Sequence, residues 1–421
     1  MIRSTKHYLN SCNAGKKKVI SDFLKDYRDA VQSYIDYIWD HKFTNQHNEV
    51  CWDIIEDKLY LPAYLDYKAL SHDKLSARAL SAALNQAIGI VRGRVAVRNK
   101  TLYIINKRLE EGKPVEYWQK KLEENKISKP KVGPNLQAEL SQKQIEMRDG
   151  DESSHFDVFV KLYSTGHKVI KLPVSYTRCD RKWLKAKGKR LAGVLLNDNS
   201  IQIRYEVPEP DKKTGKTVGG DTGLKTVLTL SDGQTTPSKD KHGHSMESIC
   251  DSLARKKRGS KAFKRSQDHR LNFVNWSINQ LNWKDVGQVN LEHLYDMKRG
   301  KRTSRKMSAW CNPLIHNKVT RILEEVGVQL NLQSSPYRSR RCSGCGIVRK
   351  RNRKGKLYKC NKCGLEIDAD LNAALNHEID LPEIRFNFRQ FLSNLSCFYW
   401  KQDGLYDEAG QELRVPATNK S

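Results

Sequence analysis

Four cysteines fall into two Cys-x-x-Cys pairs, Cys342/Cys345 and Cys360/Cys363, with fourteen residues between them. Two thiolates three positions apart on a tight knuckle turn can face one tetrahedral ion. A second knuckle across a hairpin completes a closed four-sulfur site suited to structural Zn²⁺. Disulfides or core cysteines are the alternative use of such residues, but nothing in the chain suggests secretion. Glycines at 344, 346 and 364 sit in or just after the knuckles, where a positive φ or a close approach to sulfur is useful. A closed site has no open coordination position, so this ribbon is expected to be structural.

Carboxylates supply the second chemistry. Asp368 and Asp370 follow the second knuckle and lead into a helix-forming segment, with Asp370 expected at the N-cap and Leu371, Ala374 and Leu375 on one helical face. Asp221 lies in Gly-Gly-Asp-Thr-Gly at the start of a strand-turn-strand unit, and Glu292 lies at the end of the strand pattern VGQVNLEHL. Singly, each reads equally as a cap, a turn acid or a surface charge. Jointly, Asp221, Glu292 and Asp370 match what two Mg²⁺ ions held about 4 Å apart require for in-line phosphodiester displacement.

The elements that must position these acids alternate. Leu271, Val274, Ile278 and Leu281 space out a helix that leads into the Glu292 strand. After Trp310 another helix carries Leu314, Val319, Ile322 and Leu323, ends at Gly327 as a C′ residue, and gives way to a strand through Val328, Leu330 and Leu332. Strands alternating with helices predict an α/β sheet, with the ribbon inserted after its last strand.

The N-terminal half has another character. Val19, Phe23, Leu24, Tyr27, Val31, Tyr34, Ile35 and Ile38 predict a long amphipathic helix over 16–39, and Leu80, Leu84, Ile88, Val91 and Val95 a second over about 73–100. From about 136 to 207 alternating patterns and the turn Asn197-Asp198-Asn199 predict a mostly β module, read as a small barrel. A polar strand from the N-terminus joins it, so the helices form an insertion. Pro208, Pro210 and DKKTGKTVGG make a linker.

With 421 residues, two to four domains are expected. The formal charge of +28 attracts polyanions, nucleic acid first. A membrane surface is the competing polyanion, yet there is no apolar run of transmembrane length and no secretory leader or lipidation signal. Besides the four ribbon cysteines, Cys12, Cys51, Cys179, Cys250, Cys311 and Cys397 are scattered, as in a reducing, cytoplasmic setting.

The order GGDTG, VNLEHL, a tryptophan and a helix, SSPYRSRRCSGCG, CNKCG and DADLNAALN resembles the RuvC-like nuclease of transposon-encoded TnpB proteins and the compact type V CRISPR effectors related to them, over about 170 residues, 216 to 385. The resemblance implies a multidomain α+β chain. Its parts would be a wedge-like β domain at 1–15 and 127–210, a helical recognition domain at 16–126, and an RNase H-like nuclease domain at 211–339 and 366–390. A zinc ribbon would occupy 340–365 and a C-terminal tail 391–421. It also implies an RNA-guided DNA endonuclease, prokaryotic and near the nucleoid, with guide RNA and double-stranded target DNA as partners. A monomer is favoured over two copies per RNA. Asp221, Glu292 and Asp370 match the catalytic acids and would hold two Mg²⁺ ions, while Cys342, Cys345, Cys360 and Cys363 would hold one Zn²⁺. By the same analogy the basic segment 251–265 and the ribbon tip, with seven Lys/Arg among residues 347 to 359, would meet the substrate strand.

Two positions depart from the family pattern: Gly220 replaces an apolar β-former before the first acid, and Arg338 replaces a threonine ahead of the first knuckle. Other readings are an RNA-independent transposase or structure-specific nuclease of the same fold, a nucleic-acid-binding protein without cleavage, and a zinc-ribbon transcription or translation factor.

Overall fold

The computed structural model describes residues 1–41, 74–110, 114–124, 129–142, 144–293, 304–310, 312–384 and 386–413. Cys51, Cys311 and the end of the tail lie outside the described residues. The chain divides into two compact units, Met1–Pro208 and Glu209–Ser421.

The first unit runs β1 (Ile2–Tyr8), α1 (Ala14–His41), α2 (Ala77–Glu110), α3 (Glu116–Glu124), β2 (Ala138–Leu140), β3 (Ile145–Asp149), β4 (Val158–Tyr163), β5 (Val169–Val174), α4 (Arg178–Lys185), β6 (Lys189–Asn197) and β7 (Ser200–Glu206). The apolar stripe of α1, including Phe23, Tyr27, Val31 and Tyr34, is buried in one core with Ala79, Ala83, Ala87 and Val91 of α2. β1 pairs antiparallel with β7, Ile2 opposite Glu206 through Tyr8 opposite Ser200, although α1, α2, α3 and α4 intervene in sequence. The expected barrel does not close. Among the described residues the strands form two sheets, β1-β7-β6-β2 and β3-β4-β5. The three-residue β2 pairs with β6 and β3 pairs with β4, so no ladder joins the sheets. Alternating burial along β1 and β4 turns one face of each sheet to the core.

The second unit runs β8 (Lys216–Thr222), β9 (Leu228–Leu230), α5 (Met246–Arg255), α6 (Lys261–Ile278), β10 (Val286–His293), α7 (Arg305–Ala309), α8 (Asn312–Val326), β11 (Gln329–Ser334), β12 (Ile347–Val348), β13 (Arg353–Lys354), β14 (Leu357–Lys359), β15 (Glu366–Asp368), α9 (Ala369–Glu378), α10 (Phe386–Ser393), β16 (Phe398–Lys401) and β17 (Gly404–Tyr406). Its main sheet has the order β11-β10-β8-β9; β8, β10 and β11 are parallel, and β9 returns antiparallel. This is the predicted mixture of strands and crossover helices. α8 ends as its sequence signals: Gly327 has φ +74° and the Val328 N–H donates to the Leu323 carbonyl at 3.0 Å.

The basic run 251–265 is divided between α5 and α6, which bury Ile249, Cys250, Leu253, Phe273 and Val274 and leave Arg255, Lys257, Arg258, Lys261, Lys264 and Arg265 exposed. The stretch set apart as a tail carries regular structure. β16 pairs with β12 of the cysteine ribbon, Ile347 opposite Tyr399, and Phe388, Phe398 and Trp400 are buried. Among the described residues no helix is long and apolar enough to cross a membrane.

Candidate metal centres

The two knuckles have one backbone pattern. The Cys342 N–H donates to the Ile347 carbonyl at 2.8 Å and the Gly346 N–H to the Cys342 carbonyl at 2.9 Å; the second knuckle repeats this with Cys360 to Leu365 at 2.8 Å and Gly364 to Cys360 at 3.0 Å. Gly346 and Gly364 occupy the same left-handed place, φ +78° and +77°, where a Cβ would be strained. Sulfur atoms of Cys342 and Cys363 stand 3.6 Å apart and those of Cys345 and Cys360 3.7 Å apart, all four within 4.8 Å of one another. A tetrahedron with metal–sulfur bonds of about 2.3 Å has edges of about 3.8 Å, so the four thiols fit a single tetrahedral ion.

The second centre is assembled from distant segments. β8 delivers Asp221 to its C-terminal end and β10 delivers Glu292, one step beyond the pair Leu291–Gly220. Glu292 is buried and accepts from the backbone N–H of Thr222 at 3.1 Å and from the Thr222 hydroxyl. Gly220 is explained by its neighbours. A Cβ there would lie 3.0 Å from Leu291 Cδ1 and 3.3 Å from Leu228 Cδ1, so leucines of β9 and β10 already fill the space an apolar side chain would take.

α9 brings the third acid, with a correction to the expected cap. Asp368, not Asp370, is the N-cap: its Oδ1 accepts from the N–H of Asp370 at 2.8 Å and of Leu371 at 3.1 Å. Asp370 is thereby left in the first turn, buried, with its carboxylate free to pair elsewhere. It pairs with Arg353 at 3.1 Å and with Lys356, both from the β13–β14 hairpin of the ribbon, and Lys356 also donates to Thr226 at 3.1 Å.

The buried face of α9 also differs from the expected one. It runs through Asp370, Ala373, Ala374 and His377, while Leu371 and Leu375 are only partly buried. Alanines permit the helix backbone to lie on the strand. A Cβ at Gly219 would stand 1.9 Å from the Ala374 carbonyl oxygen and 2.3 Å from the Glu378 nitrogen, so only glycine fits. Asn372 and Asn376, one turn apart and fully buried, tie the same helix to the first knuckle: Asn372 Nδ2 donates to the Arg341 carbonyl at 2.8 Å and Asn372 Oδ1 accepts from the Ser343 N–H at 3.0 Å, while Asn376 Nδ2 donates to the carbonyls of Arg341 at 2.8 Å and Arg338 at 3.1 Å. Arg338, the second departure, is buried at the C-terminal end of α9. It donates to the carbonyls of Asn376 and of Ile379, the latter at 3.1 Å, and its guanidinium lies 5.2 Å from the Trp400 ring centre.

Electrostatics mark this centre as short of positive charge. Burial pushes Glu292 up to about 7, against the two Thr222 hydrogen bonds. Asp221 is pushed well above the usual carboxylate range, by burial first and then by the charges of Glu292 and Asp370, with Arg353 and Lys356 opposing. The mutually reachable donors are oxygens of Asp221 and Glu292 and a ring nitrogen of His377, all within 4.8 Å. Sequence reasoning passed over His377. Its signal was a spacing of seven from Asp370, two helical turns on one face. Gln333, opposite Glu292 on β11 and buried with both amide atoms unpartnered, was missed too.

A family model for the TNB domain of Cas12f1-like proteins matches residues 314–377. The CRISPR-associated endodeoxyribonuclease Cas12f1 of Sulfoacidibacillus thermotolerans is 29% identical over 147 residues, 35% of this chain and 32% of that protein. A TnpB-like protein of Aquifex aeolicus is 33% identical over 81 residues, 18% of this chain and 26% of that protein. The chain thus spans about a third or less of the length of these curated relatives. Among solved structures, that of the mini-RNA-guided endonuclease CRISPR-Cas_phi3 shares the fold with a TM-score of 0.53 at 10% identity, over 90% of this chain and 92% of that one.

Proposed function

Because this chain is related to TnpB proteins and the compact type V CRISPR effectors, we propose that it is an RNA-guided DNA endonuclease hydrolysing phosphodiester bonds of target DNA at a RuvC-like site. The observation that carries the reading is the meeting of the Asp221 and Glu292 carboxylates within 4.8 Å, where burial holds both carboxyls up and the Asp370 charge acts on Asp221 as well. Such a cluster is neutralised by cations.

Asp221, Glu292 and Asp370 would hold two Mg²⁺ ions, and Cys342, Cys345, Cys360 and Cys363 a structural Zn²⁺. Paired Mg²⁺ supplies an activated water and neutralisation of the leaving oxygen. The chain's own residues do the positioning. Thr222 fixes the Glu292 carboxylate, the Asp368 cap releases Asp370 toward the centre, and Gly219 lets α9 approach. Arg353 and Lys356 bring ribbon charge to Asp370, where it offsets the acids and would meet a phosphate backbone.

The charge of +28 suits a chain that holds a guide–target heteroduplex by shape and backbone while base pairing reads sequence. On this plan 1–15 with 127–210 is the wedge-like domain and 16–126 the helical recognition domain. Residues 211–339 with 366–390 form the nuclease, 340–365 the zinc ribbon, and 391–421 the C-terminal tail, whose strand Phe398–Lys401 pairs with β12.

Sequencing RNA that co-purifies with the protein tests the guided reading, a defined structured RNA being the expected result. RNA-free protein that cuts branched DNA would overturn it. Asp221→Ala is expected to lower Mg²⁺-dependent cleavage of matched DNA by about a thousandfold while RNA remains bound; cleavage at wild-type rate would remove the acid assignment.

A further inference from the structure

Alongside its carboxylates the acidic centre contains a nitrogen donor. His377 is 1% exposed, its Nδ1 has no hydrogen-bond partner, and a ring nitrogen lies within 4.8 Å of carboxylate oxygens of both Asp221 and Glu292. A buried polar nitrogen left unpaired is costly unless something binds it. Its position is fixed from behind, because α9 presses on Gly219 with the His377 carbonyl carbon 2.7 Å from where a Cβ would be. Asp370, meanwhile, is engaged by Arg353 and Lys356.

We propose that His377 is a further ligand of the divalent-ion centre, which makes it a mixed nitrogen–oxygen site that favours Mn²⁺ over Mg²⁺. The inference rests on the reading above that Asp221 and Glu292 hold a divalent ion. Mg²⁺ is a hard cation that takes oxygen ligands in a near-ideal octahedron and dehydrates reluctantly. Imidazole suits borderline transition ions, and Mn²⁺ accepts carboxylate oxygen and imidazole nitrogen together. An aliphatic side chain at 377 would leave an all-oxygen site; histidine changes which ion the same acids select.

The test uses full-length, tag-free protein with its ribbon ion in place, titrated with Mn²⁺ and followed by electron paramagnetic resonance. The bound ion is expected to show nitrogen coupling that changes when histidine alone is labelled with ¹⁵N, a readout that needs no variant. In His377→Gln, which keeps a side chain of similar size, that coupling should vanish and Mn²⁺ affinity fall about tenfold, while Mg²⁺ affinity, from competition, changes less than about twofold. Mn²⁺ bound at wild type without histidine coupling, or bound as tightly by His377→Gln, overturns the proposal. Asp221→Ala separates the two levels. If Mn²⁺ binding survives that change, the ion is not at the acids and the site assignment itself fails.

Discussion

Each unit of the molecule buries acid, with opposite results. Asp180 in the first unit is completely buried and accepts from Thr5 Oγ1 at 2.5 Å, Thr177 Oγ1 at 2.5 Å, the Thr177 N–H at 2.7 Å and Tyr205 Oη at 2.8 Å, with His7 Nε2 at 3.2 Å. Burial alone would raise its pKa, but these donors outweigh it and hold the carboxyl well below the usual range. In the second unit Glu292 receives two bonds from one threonine, and Asp221 faces two other carboxylates; both are pushed up. The difference separates an acid whose charge the fold satisfies from acids whose charge it leaves unmatched. Asp180 ties β1, α4 and β7 together, whereas Asp221 and Glu292 store unmet charge where a cation can use it.

The largest expected effect breaks the satisfied site. Asp180→Asn should cost the first unit about 3–5 kcal/mol, read as lost hydrogen-exchange protection in β1, α4 and β7, with β8 and β10 unaffected. A loss under about 1 kcal/mol would mean the network is not what holds those elements.

A smaller effect is expected from pH in metal-free protein. The folded Glu292 value, about 7, lies above the ordinary 4.5, so the folded state binds the extra proton between those values and stability falls as pH rises from 4.5 to 7. The second unit should lose about 2 kcal/mol across that window. Asp180 has the opposite sign: its contribution is complete above 3.8 and is lost as pH falls below it, so the first unit should stay level from 7 to 4.5. Exchange protection measured unit by unit checks both, and a parallel response of the two units would erase the contrast.

The smallest change relieves the strained centre. Asp221→Asn should stabilise the metal-free second unit by about 1 kcal/mol while removing the stabilisation that divalent ions give the wild type. Thermal melts with and without Mg²⁺ read both; destabilisation without metal would show that Asp221 is satisfied after all.

Much of this was legible before any coordinates. The Cys-x-x-Cys pairs announce a closed tetrahedral site because both ligands of a knuckle lie on one turn, and the glycines at 346 and 364 mark its left-handed residue. The stripe of α1 and the strand carrying Glu292 follow from periodicity, since each needs only local geometry. Residues 216–220, by contrast, read as linker and Asp221 as a strand start, because Lys-Thr-Val-Gly-Gly shows no alternation; the structure makes them β8, with Asp221 near its end. The Asp368–Asp370 step was read in the wrong register because Asp-Ala-Asp offers two equivalent caps and only distances to the first N–H groups choose between them. Expecting a barrel from alternation alone failed similarly: alternation fixes which face is buried, not whether the last strand meets the first. Arg338 read as a departure because its carbonyl partners, Asn376 and Ile379, are remote in the chain.

The sequence by itself determined the paired cysteine knuckles, the basic field and which three acids are candidates, because spacing within a turn, net charge and a motif are properties of the chain alone. Only tertiary structure decided that α9 lies directly on Gly219, that ribbon cations reach Asp370, and that His377 joins Asp221 and Glu292. Those facts depend on how closely one backbone can approach another, and close packing between distant segments is set by every side chain that intervenes.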